Sequence, residues 1–220
     1  METNNFLKRE FPALLLLLIP FIMIGIYWND FPAEIPTHWN FSNEVDQYTR
    51  KEIGLFLVPG LNIIFYFMFF LLPRIDPKRE NYKVFSTSYN VLRFSIIGML
   101  FFLFVILFLA GLGNDLNIGV IVINLTLVLF MVLGNYMGKF KSNYFVGIKL
   151  PWTLANEDNW NRTHRLAGKL WVFASIAMMI AGMLLPIETL AIVYFSYIGL
   201  IVLIPVVYSY VLHRKEGKNV

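Results

Sequence analysis

The chain has 220 residues, of which 58% are hydrophobic and only 15% charged, and its mean hydropathy is +0.63. Ordinary soluble domains carry about 25% charged residues, so a water-soluble fold is excluded and the solvent for most of the surface is lipid. Cysteine is absent, which removes disulfides, thiol nucleophiles and Cys-based metal sites, while the net charge of +4 and the pI near 9.2 call for an explanation from charge placement.

A spanning helix needs roughly 20 mostly apolar residues. The first stretch to meet this is Phe11–Trp28. It is long for the apolar region of a signal peptide, and Tyr27-Trp28-Asn29-Asp30 is not a small-residue cleavage site, so it reads as a retained anchor. Five more spans follow: Gly54–Leu72, Val91–Leu112, Ile118–Met137, Leu170–Leu185 and Thr189–Leu212. The fifth is short and borrows its first turn from the polar segment before it. The expected fold is an all-α polytopic membrane protein with six transmembrane helices. It forms one integral unit, divided into a four-span region 1–137 and a region 138–220 that holds the last two spans.

Between the first two spans lies FPAEIPTHWNFSNEVDQYTRK, Phe31 to Lys51. Pro32 and Pro36 hold its start extended, Trp39 suits the headgroup level, and Asn43 stands where a turn wants a positive φ. His38, Glu44 and Asp46 match no dedicated metal spacing. Loop stabilisation and contact with an external ligand remain as their roles. Within the spans no ionisable residue lies near the middle, which disfavours ion pumps and proton relays. Asn62, Asn124, Thr126, Ser175, Ser196 and Ser209 are expected to bond across helices. The clusters Phe65-Tyr66-Phe67 and Phe101-Phe102 are expected to face lipid, and Pro20, Pro59 and Pro205 can kink their helices. The tight connections Gly113–Asn117 and Pro186–Glu188 make spans three and four, and five and six, antiparallel neighbours.

Lys and Arg then orient the chain. On the N-terminal side lie Lys8, Arg9, Arg74, Lys78, Arg79, Lys83, Arg93, Lys139, Lys141, Lys149, Arg162, Arg165, Lys169, Arg214, Lys215 and Lys218; the other side has only Arg50 and Lys51. Acids split evenly, so both termini are expected in the cytoplasm. The basic pI is a topology signal, and direct nucleic-acid binding is not expected.

The loop that enters span five is unusually polar. Pro151 stops what precedes it, Thr153 or Asn156 can cap a new helix, and Glu157-Asp158 suit its first turn. Helical spacing aligns Trp160, His164, Ala167 and Trp171 on one stripe and Arg162, Arg165 and Lys169 on another, with Asp158 and Arg162 placed to pair. An amphipathic helix at the membrane surface, running into span five past Gly168, fits this pattern. Basic residues and Trp would serve as an interfacial anchor against membrane lipid. Asn156, Asn159, Asn161, Thr163 and His164 add directional hydrogen bonding, which favours a specified surface, packed under the bundle or offered to a partner.

The run Asn143, Tyr144, Gly147, Ile148, Lys149, Pro151, Trp152, Thr153, Leu154, Trp160, Thr163, His164, Gly168 and Trp171 resembles the signature of the SdpI-like immunity family. In that signature N-Y-x-x-G-I-[KR] leads through P-W-T-L to a W-x-x-[TA]-[HN] helix. Ile35, Pro36, His38, Trp39, Asp46 and Lys51 are similar to the domain of unknown function that accompanies it, with Asn43 in place of the expected Gly. The resemblance implies a bacterial plasma-membrane protein that protects its own cell from a secreted killing peptide of the sporulation-delaying type. It also implies signalling by holding a small transcriptional repressor at the inner face. The inner-face candidates, for a partner or for structure, are Asn143, Tyr144, Gly147, Lys149, Pro151, Trp152, Trp160, Arg162, His164 and Arg165. Pro36, His38, Trp39, Asp46 and Lys51 are the outer-face candidates for the toxin peptide. No cofactor is expected, and no HExxH, GxSxG or intramembrane acid pair suggests an enzyme. The alternative, a small-solute or peptide transporter, would need a polar path, and neither scattered Asn, Thr and Ser nor any internal repeat supplies one.

Overall fold

The computed structural model describes residues 2–40 and 42–216, and the side chains of Ile187, Glu188 and Glu216 and of the first seven residues lie outside that description, as does Lys218. In chain order the elements are α1 (Glu2–Tyr27), β1 (Glu34–Trp39), β2 (Val45–Arg50), α2 (Lys51–Ile75), α3 (Asn81–Val84), α4 (Ser86–Gly111), α5 (Ile118–Met137), α6 (Pro151–Ala155), α7 (Glu157–Gly182) and α8 (Ile187–Glu216). Among the described residues six helices are long and apolar enough to cross a membrane: α1, α2, α4, α5, α7 and α8. At 1.5 Å per residue, even the 20 residues of α5 reach about 30 Å, the thickness of the hydrocarbon layer. Ile64, Phe67, Phe102, Phe173 and Ile192 are exposed on these helices, a distribution that only a lipid solvent tolerates. The chain is an all-α polytopic membrane protein that carries one small β-hairpin.

The chain divides into two compact units, Met1–Met68 with Phe94–Val122, and Phe69–Arg93 with Ile123–Val220. In the first, Ile24, Phe31, Ile35, Leu55, Phe104, Leu107 and Phe108 form a buried core. Phe31 and Ile35 carry the start of the hairpin into it. A methyl at Gly54 would lie 2.9 Å from Ile35 Cδ1, and one at Gly111 would lie 2.9 Å from Phe31 Cε1. Both helices therefore need a bare backbone where the hairpin sits down. The hairpin itself departs from the extended loop expected. Ile35, Thr37, Val45, Tyr48 and Thr49 are strand formers, and they pair antiparallel with Glu34 opposite Arg50 and Trp39 opposite Val45. Asn40 Oδ1 accepts from Ser42 N and Glu44 N (2.9 and 3.0 Å), which closes the turn. Asn43 has φ 63°, the positive value its position called for. Tyr66 also differs from expectation. It is buried, with its hydroxyl 3.4 Å from Glu10 Oε2.

In the second unit α7 and α8 form a helical hairpin. Trp171 Nε1 donates to Ile201 O at 3.1 Å, and the Ser175 and Tyr197 hydroxyls lie 2.7 Å apart. Helix α5 meets α7 at a glycine pair: a methyl on Gly134 would stand 2.8 Å from Gly168 O. The cross-helix role expected of polar residues holds for Asn62, which donates to Ile97 O, and for Ser175, whereas Ser196 bonds back to Ile192 O in its own helix. Two boundaries differ from the sequence reading. Pro151 starts α6 instead of only ending what precedes it, because its missing N–H is harmless at the first helical position. Span five ends at Gly182 instead of Leu185, while its helix continues back through the polar segment to Glu157 as expected.

Candidate functional site

The polar segment that enters α7 folds into a cap, built in the second unit from residues 76–85, 138–156 and the first turns of α7. Asp76 is its pivot. Its Oδ1 accepts from Lys78 N at 2.7 Å and its Oδ2 from Tyr144 N at 2.9 Å, so one buried carboxylate ties two connections together. The Tyr82 hydroxyl lies 3.0 Å from Asp76 Oδ2 and 3.2 Å from Asn143 Oδ1 and shares its proton between them. Burial, then the hydrogen bond and charge of Asp76, push that phenol well above its usual range, so it stays a donor. Asn143 is fully buried and its amide is saturated. Its Oδ1 accepts from Phe145 N and Val146 N, and its Nδ2 donates to Lys141 O and Val146 O, all within 3.0 Å. Lys78 Nζ and Asn81 Nδ2 close the other side, donating to Ser142 Oγ and Ser142 O at 2.7 Å each.

Trp160, His164 and Gly147 form the second cluster. Trp160 Nε1 donates to Phe140 O at 2.8 Å, and the Trp160 and His164 rings stack with centroids 4.0 Å apart. His164 Nδ1 faces the carbonyl of Trp160 at 2.8 Å, so it must carry the proton. Nε2 is then the acceptor, and it receives Ile148 N at 2.9 Å. The imidazole is held as one neutral tautomer by two backbone groups. Gly147, at φ 114°, presses against this ring pair, and a methyl there would collide with His164 Nε2. No other residue type fits both the angle and the space.

The rest of the cap hooks onto α8. Trp152 Nε1 donates to Ser209 Oγ at 2.9 Å, and its ring stacks on His213. Asn159 Nδ2 donates to Ser209 O at 2.9 Å, and Thr163 Oγ1 donates to Asn159 Oδ1 at 3.1 Å. Asn156 is the cap of α7, accepting from Asn159 N at 3.0 Å. Thr153 instead accepts from Leu150 N and donates to Ile148 O.

The ten candidates of this segment therefore separate. Asn143, Trp160 and His164 are buried, Gly147 and Trp152 half-buried, and all five serve packing in this structure. Tyr144, Lys149, Pro151, Arg162 and Arg165 are exposed. Arg162 pairs with Asp158 at 3.4 Å, and Arg165 Nε donates to Asn161 O at 3.3 Å within its own helix. The stripe Trp160, His164 and Ala167 is buried against protein and does not lie on headgroups. Sequence reading missed Asp76 and Tyr82. The signal was available: Asp76-Pro77 is a turn dipeptide straight after a long apolar run, and Asp76 is one of two acids among five basic residues.

The hairpin of the first unit holds the other candidates. His38 Nδ1 and Asp46 Oδ1 are 2.5 Å apart across the strands. Lys51 Nζ donates to Trp28 O and Phe31 O at 2.9 and 3.3 Å and lies 4.7 Å from the Trp28 ring centre, so it is a structural cation. Pro36 and Trp39 line a cleft of about 410 Å³ against the α4–α5 turn. Asn43 braces that cleft, since its Nδ2 donates to Leu116 O at 3.1 Å. Among the described residues no three His, Asp or Glu side chains gather as a metal site.

With this geometry in view, residues 139–209 match the SdpI/YfhL protein family, and residues 15–63 match a domain of unknown function, DUF1648. The first covers the cap from Lys139 through α7 to Ser209; the second covers the second half of α1, the hairpin and the first half of α2. The chain is similar to Immunity protein SdpI of Bacillus subtilis (strain 168), with 28% identity over 167 residues, 76% of this chain and 77% of that protein. No solved structure matches.

Proposed function

We propose that this chain, which matches the SdpI/YfhL protein family over residues 139–209, is a bacterial immunity protein that resists a secreted, membrane-active killing peptide. It is a multi-pass plasma-membrane protein. The observation that carries the proposal is its similarity to Immunity protein SdpI over three-quarters of both chains, joined by the two family matches, which fall on the hairpin (residues 15–63) and on the cap (residues 139–209). In this reading the hairpin faces outward and meets the peptide through Pro36, His38, Trp39 and Asp46. The cap faces the cytoplasm. Its exposed Tyr144, Lys149, Arg162 and Arg165 offer a basic and aromatic surface to a small repressor, while the buried Asn143, Trp160 and His164 hold that surface in shape.

The test is membrane potential in sensitive cells that express the chain and are challenged with a sporulation-delaying-type peptide. A potential held steady supports immunity. Collapse in cells with the protein verified in the membrane overturns it.

A further inference from the structure

The cleft beside the hairpin has a chemistry of its own. It is walled by Trp39 and Tyr48 from the hairpin and by Asp115 and Leu116 from the α4–α5 turn, with Glu34 and Pro36 along one side. Its volume, about 410 Å³, is within the range of ligand pockets. It is preformed, because Asn43 bonds across it to Leu116 O and receives Gly119 N. The carboxylates of Glu34 and Asp115 have no hydrogen-bond or ion-pair partner among the described residues. The basic groups nearby are already committed: Arg50 Nε lies 3.3 Å from Glu52 Oε2, and Lys51 is tied to backbone carbonyls under Trp28. His38 is held by Asp46, and Glu44 is held by Asn40. What remains is a preformed cleft with two aromatic rings and two carboxylates outside any hydrogen bond or ion pair among the described residues. Asp115 faces no basic neighbour, and Glu34 lies opposite Arg50, which is paired with Glu52. Aromatic faces and carboxylates together select an organic cation.

We propose that this cleft binds a basic side chain, lysine or arginine, of a peptide at the membrane surface. The aromatic rings take the aliphatic stem and the face of the cation, and Glu34 and Asp115 take its N–H groups. The proposal rests on the immunity reading only for the peptide's origin; the cation selectivity follows from the cleft.

The experiment uses the full chain labelled with 5-fluorotryptophan in phosphatidylcholine nanodiscs, with the Trp39 resonance assigned by Trp39→Phe. The probes are acetylated, amidated pentapeptides that differ only at the central residue, arginine, norleucine or glutamate, together with acetyl-arginine amide. The expected result is a saturable shift of the Trp39 resonance with the arginine peptide, at least about tenfold tighter than with norleucine, as for loss of a charged hydrogen bond. The Glu34→Gln/Asp115→Asn double variant should remove that difference. Both residues are exposed, so the fold is expected to survive. As a second check, Glu34→Lys/Asp115→Lys should transfer the preference to the glutamate peptide. Equal binding of all three peptides would overturn the proposal, as would a preference that persists in the double variant, or acetyl-arginine amide binding that does not weaken in that variant. Cells that keep their potential while the cleft shows no cation preference would sink this inference and leave immunity standing. Cells that lose it while the preference is intact would do the reverse.

Discussion

His164 and Arg165 are neighbours in sequence and opposite in role. His164 is fully buried between Trp160 and Gly147, and its Nε2 is the acceptor for Ile148 N. His164→Phe would keep an aromatic ring against Trp160 but leave the Ile148 N–H buried and unsatisfied, which costs about 1–3 kcal/mol. Hydrogen exchange should speed up at Ile148, and the thermal midpoint should fall. Arg165 is exposed and bonds only to its own helix, so Arg165→Ala should leave stability within about 0.5 kcal/mol. Loss of protection in Arg165→Ala would then report a lost contact, whereas in His164→Phe it would report a loosened cap. Unchanged exchange at Ile148 in His164→Phe would refute the tautomer assigned here. The sequence alone placed them on different stripes of one helix and kept both as inner-face candidates. What separates them is the neighbour that each side chain meets, and that neighbour, Gly147 and its backbone, is 17 residues upstream of His164.

At the scale of elements, the glycine pair between α5 and α7 is the most demanding contact. A methyl on Gly168 would stand 2.5 Å from Gly134 O, and a backbone carbonyl cannot rotate away as a side chain can. Gly168→Ala should force the helices apart at a cost of about 1–3 kcal/mol. Gly199→Ala is the control, because a methyl there meets nothing within 4 Å, and it should be neutral or stabilising through helix propensity. Unfolding in SDS followed by circular dichroism separates the two; equal curves would show that the α5–α7 contact is not made. The same elements show how far sequence reaches. Ile118–Met137 was legible to the residue because an unbroken apolar run is bounded by Asn117 and Gly138. The first half of α7 was legible as a helix capped at Asn156, but its burial was not, because Trp160, Thr163 and His164 are polar or amphipathic groups buried by protein instead of lipid, and hydropathy counts them as surface. The hairpin escaped for a related reason. Strand alternation is broken at Pro36 and the neighbouring register shifts, and the turn that pairs β1 with β2 is closed by the side chain of Asn40 and the positive φ of Asn43.

For the whole molecule, the charges argue direction. By the alternation of the spans, every basic residue except Arg50 and Lys51 falls on the N-terminal side, in a connection, towards one end of a helix or at a terminus. Several have no side-chain hydrogen-bond or ion-pair partner among the described residues: Arg79, Lys141 and Lys169 are exposed on the cap's unit, while Lys83 pairs with Glu80, Lys139 lies over the Tyr136 ring and Lys149 donates to Phe145 O. Arg50 and Lys51, in contrast, are bound into the hairpin. Free Lys and Arg on one set of loops are what holds loops on the cytoplasmic side during insertion. The chain contains no cysteine, so single cysteines report without background. A cysteine at Ser42, exposed at the hairpin turn, should react with a membrane-impermeant maleimide in intact cells. One at Lys149, exposed on the cap, should react only after permeabilisation. The opposite pattern would place the Glu34–Asp115 cleft in the cytoplasm, out of reach of a peptide arriving from outside, and would turn the cap's basic surface away from any repressor. Both functional proposals share this orientation, so the labelling pattern decides whether either can operate in the cell.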